Sequence, residues 1–255
     1  MRLTKSVAPN LLTLANLYCG FSAIIFVAEG DFHKAALFIF LAAIFDMLDG
    51  VTARLVGSTS ELGAEMDSLC DVVSFGVAPA FMLYKAYFNV FGEFGILFAS
   101  LPAIAGAFRL ARFNIIMTGF EDKKYFHGLP IPASALIIVS YLIYYQLTPT
   151  IPEEWKPYII TFVVIGTTLA MVSRIKYDNL PRPTIKSIRQ RPIIFTLFLI
   201  GFVISAITLG KAVFPFMLFY LIGSALRHFI FWLKEVQLPE DEIDETPETD
   251  PTPFD

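Results

Sequence analysis

Four aspartates and one arginine lie within 26 residues of a sequence that is otherwise apolar enough to cross a membrane. Asp46 and Asp49 precede Arg54, and Asp67 and Asp71 follow it four residues apart. Burying an ionised carboxylate in hydrocarbon without a partner costs roughly several kcal/mol, so acids inside a membrane generally have a functional reason. Too few basic residues lie nearby to pair with four acids. The stretch therefore predicts bound cations.

The composition predicts an all-α integral membrane protein. Of 255 residues, 56% are hydrophobic and only 16% are charged, whereas soluble domains carry about 25% charged residues. A helix needs about 20 mostly apolar residues to cross the hydrocarbon. About eight candidate transmembrane helices follow, at residues 10–29, 33–53, 62–88, 92–113, 131–148, 156–173, 192–209 and 211–233.

The distribution of basic residues predicts how these helices are oriented. With a cytoplasmic N-terminus and eight spans, 15 of the 19 lysines and arginines lie on the inner side. Cytoplasmic loops are enriched in these residues, so we expect both termini and the aspartates at the cytoplasmic face. We interpret the basic segment 173–191 as a topology signal that contacts anionic headgroups, and a role in substrate binding stays open. No basic run typical of nucleic-acid binding occurs.

The C-terminal tail differs in charge from the rest of the chain. Residues 239–255 contain eight acids and no lysine or arginine. Polar segments with high net charge and many prolines do not bury enough apolar surface to fold. We therefore expect this tail to be disordered.

Helical spacing gathers the aspartates into two stripes. Each residue of an α-helix rotates by about 100°, which sorts the small and acidic residues by face. One stripe of the second span contains Asp46, Asp49, Gly50 and Ala53, and one stripe of the third contains Gly63, Asp67 and Asp71. The short connection makes the two spans antiparallel neighbours, so the carboxylates of both can face one another. Such oxygens, together with substrate phosphates, are the ligands that Mg²⁺ prefers.

The other residues of the stripes suit a phosphorylated ligand. Gly50, Ala53 and Gly63 leave room for a nucleotide or phosphate to approach the backbone, and Arg54 can pair with a phosphate. Carboxylates, metal and arginine together are typical of phosphoryl-group transfer. The same acids could instead line the pathway of a cation or metabolite carrier. Inverted repeats with broken helices would favour a carrier, and the sequence contains no such repeat.

The full pattern resembles the signature of the CDP-alcohol phosphatidyltransferase family. The pattern D-x2-D-G-x2-A-R-x8-G-x3-D-x3-D is matched by Asp46, Asp49, Gly50, Ala53, Arg54, Gly63, Asp67 and Asp71. The resemblance implies an enzyme that moves a phosphatidyl group from CDP-diacylglycerol to an alcohol and releases CMP. It also implies a homodimer with a six-helix core, here residues 1–191, followed by two additional C-terminal spans at 192–238.

The resemblance assigns metal and catalytic roles to the four acids. Asp46, Asp49 and Asp67 would bind Mg²⁺ or Mn²⁺ that holds the pyrophosphate. Asp71 would be the general base and would also contact a metal. The family's pattern therefore implies that the four acids divide the work of holding the donor and activating the acceptor.

The resemblance assigns binding of the CDP moiety to the remaining motif positions. Gly50, Ala53 and Gly63 would allow its close approach, and Arg54 would help to hold its phosphates. These four residues are the predicted nucleotide-binding set.

Further stretches resemble the phosphatidylserine synthase branch of the family, which implies L-serine as the acceptor. They are residues 9–20, 108–114, 127–133 and 172–177. Asn16, in the first, is a candidate binding residue on this resemblance. The branch also implies a prokaryotic plasma membrane. Glycerol 3-phosphate and inositol stay open as alternative acceptors.

Two arginines of the fourth span are candidates for substrate binding. Arg109 and Arg112 are three residues apart and share a helix face. They would bind the carboxylate of serine or a phosphate of the donor. Alternatively, they are interface arginines whose long side chains extend to the headgroups.

Overall fold

The computed structural model describes residues 3–57, 60–118, 128–173, 175, 204, 208 and 210–236. Within these ranges all regular structure is helical, as the all-α prediction requires. The helices are α1 (Leu3–Glu29), α2 (Phe32–Val56), α3 (Glu61–Asp71), α4 (Ala78–Ala86), α5 (Gly92–Thr118), α6 (Ile131–Tyr141), α7 (Lys156–Val172) and α8 (Val213–Val236).

Three irregular turns adjoin the helices in the described part of the chain. A π-helical turn, Val72–Val77, joins α3 to α4, so these two helices form one continuous span. A second π-helical turn, Leu142–Gln146, extends α6, and a 3₁₀ turn, Phe88–Phe91, precedes α5. Single π-helical turns are rare in proteins overall, and those that occur frequently lie at functional sites. The first one directly follows Asp71 and the aspartate motif.

Four helical segments of the described chain are long and apolar enough to cross a membrane. They are residues 7–29, 32–56, 61–86 and 88–115, and shorter apolar helices lie at 131–146, 156–172 and 213–224. This arrangement supports an integral membrane protein. The predicted span at 192–209 lies outside the described residues apart from Ile204 and Thr208, so the count of eight stays a prediction. The acidic tail and nearly all of the basic segment lie outside them as well.

Helix caps fix the antiparallel arrangement of the first three helices. Between α1 and α2, the Asp31 side chain accepts a hydrogen bond from the Lys34 backbone N at 3.1 Å and pairs with its Nζ at 2.8 Å. These interactions with Lys34 lower the pKa of Asp31. At the other end, α2 stops at Gly57 in a left-handed conformation (φ 63°), and Ser60 caps α3. The α2–α3 connection therefore lies beside the beginning of α1.

The core forms where the helices meet, and the outer faces stay apolar. Phe75, Tyr141 and Ile160 are among the largest fully buried side chains. Large apolar side chains also point outward, including Phe21 and Phe162. Extensive exposed apolar surface of this kind fits a protein surrounded by lipid. Polar residues inside such a bundle therefore mark where its function lies.

Candidate metal and substrate site

Three aspartates from two helices converge at one point. Asp46 and Asp49 on α2 and Asp67 on α3 each offer a carboxylate oxygen, and these oxygens lie within 4.8 Å of one another. Asp49 is buried and the other two are half-buried. The facing stripes predicted from helical rotation are thus present in the structure for these three acids. Like charges held this close in a low-dielectric region repel strongly unless a proton or a cation intervenes.

The cluster lies in the half of the α2–α3 hairpin that is nearer to the connection between these helices. With a rise of about 1.5 Å per residue, the three acids are roughly 10 to 15 Å from the facing ends of α2 and α3. All three acids are therefore nearer to this end of their helical segments than to the opposite ends, at Phe32 and Ala86.

The donor set of this cluster fits a hard divalent cation. Oδ1 of Asp67 is buried and has no hydrogen-bond partner among the described residues. A buried acceptor without a partner costs about 1–3 kcal/mol. Mg²⁺ and similar hard ions take carboxylate oxygens as ligands. A cation at this position would supply the partner that Asp67 lacks and would offset the repulsion among the acids.

Helix α1 contributes two polar side chains to the site. Thr13 Oγ1 donates a hydrogen bond to Asp49 Oδ2 at 2.9 Å, and Asn16 Nδ2 donates one to Asp71 Oδ1 at 3.1 Å. Both donors are buried. One helix face thus orients an acid from each of the two motif helices, in the manner of groups that orient metal ligands. Thr13 had no predicted role, although two polar residues three apart on an apolar helix are a usable signal.

Asp71 lies outside the group of three clustered acids, although it is near enough for its charge to interact with theirs. It lies at the end of α3, is 6% exposed and is held by Asn16. The group of carboxylates within metal-binding distance contains Asp46, Asp49 and Asp67 and does not extend to it. Its roles as general base and as metal contact stay predictions. Its position outside the group of three favours the role of general base.

The π-helical turn after Asp71 packs directly against α1. Ser74 Oγ donates to the backbone O of Asn16 at 3.0 Å. A Cβ added to Gly20 would lie 2.2 Å from Ser74 Oγ and 2.6 Å from its Cα. Only glycine allows this approach, which brings α1 near enough for Asn16 to reach Asp71. The sequence motif gave no indication of this contact.

The small residues of the motif differ in what surrounds them. A Cβ on Gly50 would meet only Arg54 Nη1, at 3.9 Å, so the face beside this exposed arginine is open. A Cβ on Gly63 would lie 3.1 Å from Ser60 Oγ and 3.6 Å from Asn10 Oδ1. Gly50 and Arg54 therefore fit their predicted position beside the CDP moiety. Gly63 packs closely against α1, which is a second reason for a small residue there. The half-buried Ala53 fits either explanation, room for the CDP moiety or helix packing.

The two arginines of α5 have different surroundings. Arg112 donates from Nη1 to the Val172 carbonyl at 3.1 Å and from Nη2 to the Ser173 carbonyl at 3.4 Å, at the end of α7. Arg109 is 9% exposed, and its Nε has no hydrogen-bond partner within the described part of the chain. It lies near enough to Asp71 for their charges to interact. Burial of Arg109 disagrees with an interface arginine that extends to the headgroups.

One more contact ties α5 to α3. Asn114 Nδ2 donates to Ser68 Oγ at 3.2 Å and lies 3.4 Å from the carboxylate of Glu65. Ser68 directly follows Asp67, so this contact holds the part of α3 that carries this clustered acid against the helix that carries the arginines. Asn114 had no role assigned from the sequence.

The sequence model of the CDP-alcohol phosphatidyltransferase family matches residues 6–174. This range covers the aspartate cluster, the α1 residues that contact it and the arginines of α5. The chain therefore belongs to the CDP-alcohol phosphatidyltransferase family, as the aspartate pattern predicts. Membership of this family identifies the protein as a transferase and excludes the alternative of a cation or metabolite carrier.

Curated relatives give a narrower comparison. A CDP-diacylglycerol–serine O-phosphatidyltransferase from Helicobacter pylori is 34% identical over 226 residues, which cover 89% of this chain and 92% of the relative. Another of the same name, from Methanocaldococcus jannaschii, is 39% identical over 172 residues, 68% of this chain and 74% of the relative. An archaetidylserine synthase from Methanothermobacter thermautotrophicus is 36% identical over 184 residues, 70% and 72% of the two chains. All three carry serine in their names.

Proposed function

We propose that this protein transfers the phosphatidyl group of CDP-diacylglycerol to the hydroxyl of L-serine, giving phosphatidylserine and CMP. The observation that carries the proposal is the cluster of Asp46, Asp49 and Asp67, with the Asn16–Asp71 pair beside it. The cluster fits a donor whose pyrophosphate needs a cation. The names of the relatives support serine as the acceptor.

Asp46, Asp49 and Asp67 would hold Mg²⁺ or Mn²⁺. When bound there, a divalent cation neutralises the pyrophosphate and the charge that develops on the leaving CMP. The open face at Gly50 receives the CDP moiety beside the guanidinium of Arg54, which binds a phosphate. Thr13 keeps Asp49 turned toward the site through its 2.9 Å hydrogen bond.

Asp71 would act on the acceptor. Its carboxylate accepts the proton of the serine hydroxyl while the hydroxyl oxygen forms a bond to the phosphorus that carries diacylglycerol. The bond from that phosphorus to the CMP oxygen breaks, and CMP leaves with the electron pair. An aspartate is a weak base toward an alcohol, so proton transfer accompanies the attack. Positioning of the groups supplies much of the rate.

The proposed setting is a prokaryotic plasma membrane crossed by about eight spans, with both termini in the cytoplasm. The excess of basic residues on one side supports this orientation. The position of the cluster toward the α2–α3 connection suits a donor with a water-soluble headgroup and a soluble amino acid, both of which would enter from that end. A homodimer is part of the proposal, on the strength of family membership.

Release of CMP by the purified protein tests this function. With CDP-diacylglycerol and Mg²⁺ or Mn²⁺, we expect release on addition of L-serine and loss of it with EDTA. Asp46→Asn should abolish release, whereas Asp31→Asn, a matched change at the opposite end of α2, should not. Release with glycerol 3-phosphate or inositol in place of serine would move the protein to another acceptor within the family.

A further inference from the structure

Buried polar atoms without partners are concentrated at the candidate site. Among the described residues, the side-chain atoms of this kind are Asn16 Oδ1, Asp67 Oδ1, Arg109 Nε and Ser134 Oγ. Most buried polar groups in proteins have a hydrogen-bond partner, so each exception needs a reason. The first three belong to residues of the candidate site. The proposed cation would be the partner of Asp67 Oδ1. The cation does not account for Asn16 Oδ1 and Arg109 Nε.

The orientation of the Asn16 amide follows from its neighbours. The residue is 0% exposed, and its Nδ2 lies 3.1 Å from Asp71 Oδ1. An ionised carboxylate only accepts hydrogen bonds, so the NH₂ group must face Asp71 and the carbonyl oxygen must face away from it. Ser74 Oγ donates to the backbone O of Asn16, and the side-chain oxygen has no partner in the part of the chain that the structure describes. A buried hydrogen-bond acceptor therefore lies next to the proposed base.

The acceptor substrate is the ligand whose chemistry fits this oxygen. Its hydroxyl must lie within a hydrogen bond of Asp71, so the adjacent groups of the substrate reach the Asn16 amide. Serine has one further donor group, its ammonium, and one acceptor group, its carboxylate. Within the described residues, Asn16 Oδ1 lacks a donor and Arg109 Nε lacks an acceptor. The two unpaired atoms match the two charged groups of an amino acid.

We propose that Asn16 Oδ1 binds the ammonium group of an amino-acid acceptor and thereby selects it over acceptors without an amine. This inference rests on the proposed serine transferase function. Three helices then each contact one group of the acceptor: α3 the hydroxyl through Asp71, α1 the ammonium through Asn16, and α5 the carboxylate through Arg109. The same Asn16 side chain also orients Asp71, so its loss has two consequences that the test must separate.

A pair of acceptors that differ only in the ammonium separates them. 3-Hydroxypropionate is serine without its amine. In Asn16→Leu, misorientation of Asp71 slows transfer to both acceptors, whereas loss of the ammonium contact weakens serine alone. We expect the ratio of kcat/KM for serine to that for 3-hydroxypropionate to fall by about tenfold or more relative to wild type, as for a lost hydrogen bond to a charged group. If turnover of the analogue is too slow, its inhibition constant against serine replaces kcat/KM.

Other outcomes overturn the inference. An unchanged ratio with slower turnover of both acceptors would mean that Asn16 only positions Asp71. A rise in KM for CDP-diacylglycerol at an unchanged ratio would assign the oxygen to the donor nucleotide. Asn16→Ala repeats the measurement if Asn16→Leu does not fold. Absence of serine-dependent CMP release in the wild type would instead refute the proposed function, so the two failures are distinguishable.

Discussion

Asn16 Nδ2 on α1 donates a 3.1 Å hydrogen bond to Asp71 Oδ1 on α3, across a separation of 55 residues in sequence. Both side chains are buried. The contact gives Asp71 a partner that the three clustered aspartates do not share. It therefore distinguishes Asp71 from the three clustered acids, as the proposed division into a cation-binding group and an acid for the acceptor requires.

Replacing Asp71 with asparagine tests this division. The substitution removes the proposed base. It leaves the size of the side chain nearly unchanged and does not alter the three proposed cation ligands. We expect kcat to fall by about 10²–10⁴-fold, the usual contribution of general-base catalysis, with little change in KM for CDP-diacylglycerol. Steady-state kinetics in detergent micelles measure both constants. Turnover near the wild-type rate with intact donor binding would contradict the role of Asp71.

The Thr13–Asp49 hydrogen bond predicts a role for Thr13 in cation affinity. Thr13→Val removes the donor at nearly constant volume, and we expect about 10–100-fold weaker activation by Mn²⁺, as for other residues that orient metal ligands. Thr13→Ser should restore it. Thr168→Val is the matched control, because that hydroxyl donates to the Val164 carbonyl of its own helix, at 2.7 Å, and to no other described residue. An equal effect of both valine substitutions would assign Thr13 a purely structural role.

The close packing of α1 against the π-helical turn predicts a contrast between two glycines. Gly20→Ala would place its Cβ 2.2 Å from Ser74 Oγ, whereas a Cβ at Gly166 on α7 meets no atom within 4 Å. Overpacking costs about 1–3 kcal/mol, and alanine in an open helix position is favourable by up to about 1 kcal/mol. Thermal unfolding in detergent should therefore show a lower Tm for Gly20→Ala and an equal or higher Tm for Gly166→Ala. A Gly20→Ala protein as stable as wild type would contradict the packing.

The two arginines of α5 should respond differently to the same substitution. Arg109→Lys should raise KM for serine by about tenfold, because lysine lacks the Nε donor and the planar fork that a carboxylate binds. Arg112→Lys should instead lower stability by roughly 1 kcal/mol, because Arg112 bonds the last carbonyls of α7. Serine kinetics and thermal unfolding on both variants check this. Equal effects on KM would mean that both arginines bind substrate.

The sequence predicted the parts of the site that depend on local geometry. The helical period alone faces Asp46 and Asp49 toward Asp67, since a short connection makes α2 and α3 antiparallel. The same motif predicts the open face at Gly50 and the position of Arg54 beside it. These features lie within one helical hairpin, where spacing along the chain determines position in space.

The features that the sequence did not predict depend on contacts between distant segments. The period of an uninterrupted α-helix gives no sign of the π-helical turn at Val72–Val77. Asn16 reaches Asp71 because Gly20 permits the close approach of α1 to that turn. Arg109 and Arg112 look equivalent on a helical wheel, and their different neighbours, Asp71 near Arg109 and the end of α7 beside Arg112, distinguish them.

Incorporation of labelled L-serine into lipid tests the central claim most directly. Purified protein is supplied with CDP-diacylglycerol and a divalent cation, and the lipid fraction is extracted and identified. We predict labelled phosphatidylserine in amounts equal to the CMP released, lost with EDTA and in Asp46→Asn, and retained in Asp31→Asn. CMP release without label in the lipid, or labelling that survives both EDTA and Asp46→Asn, would contradict it.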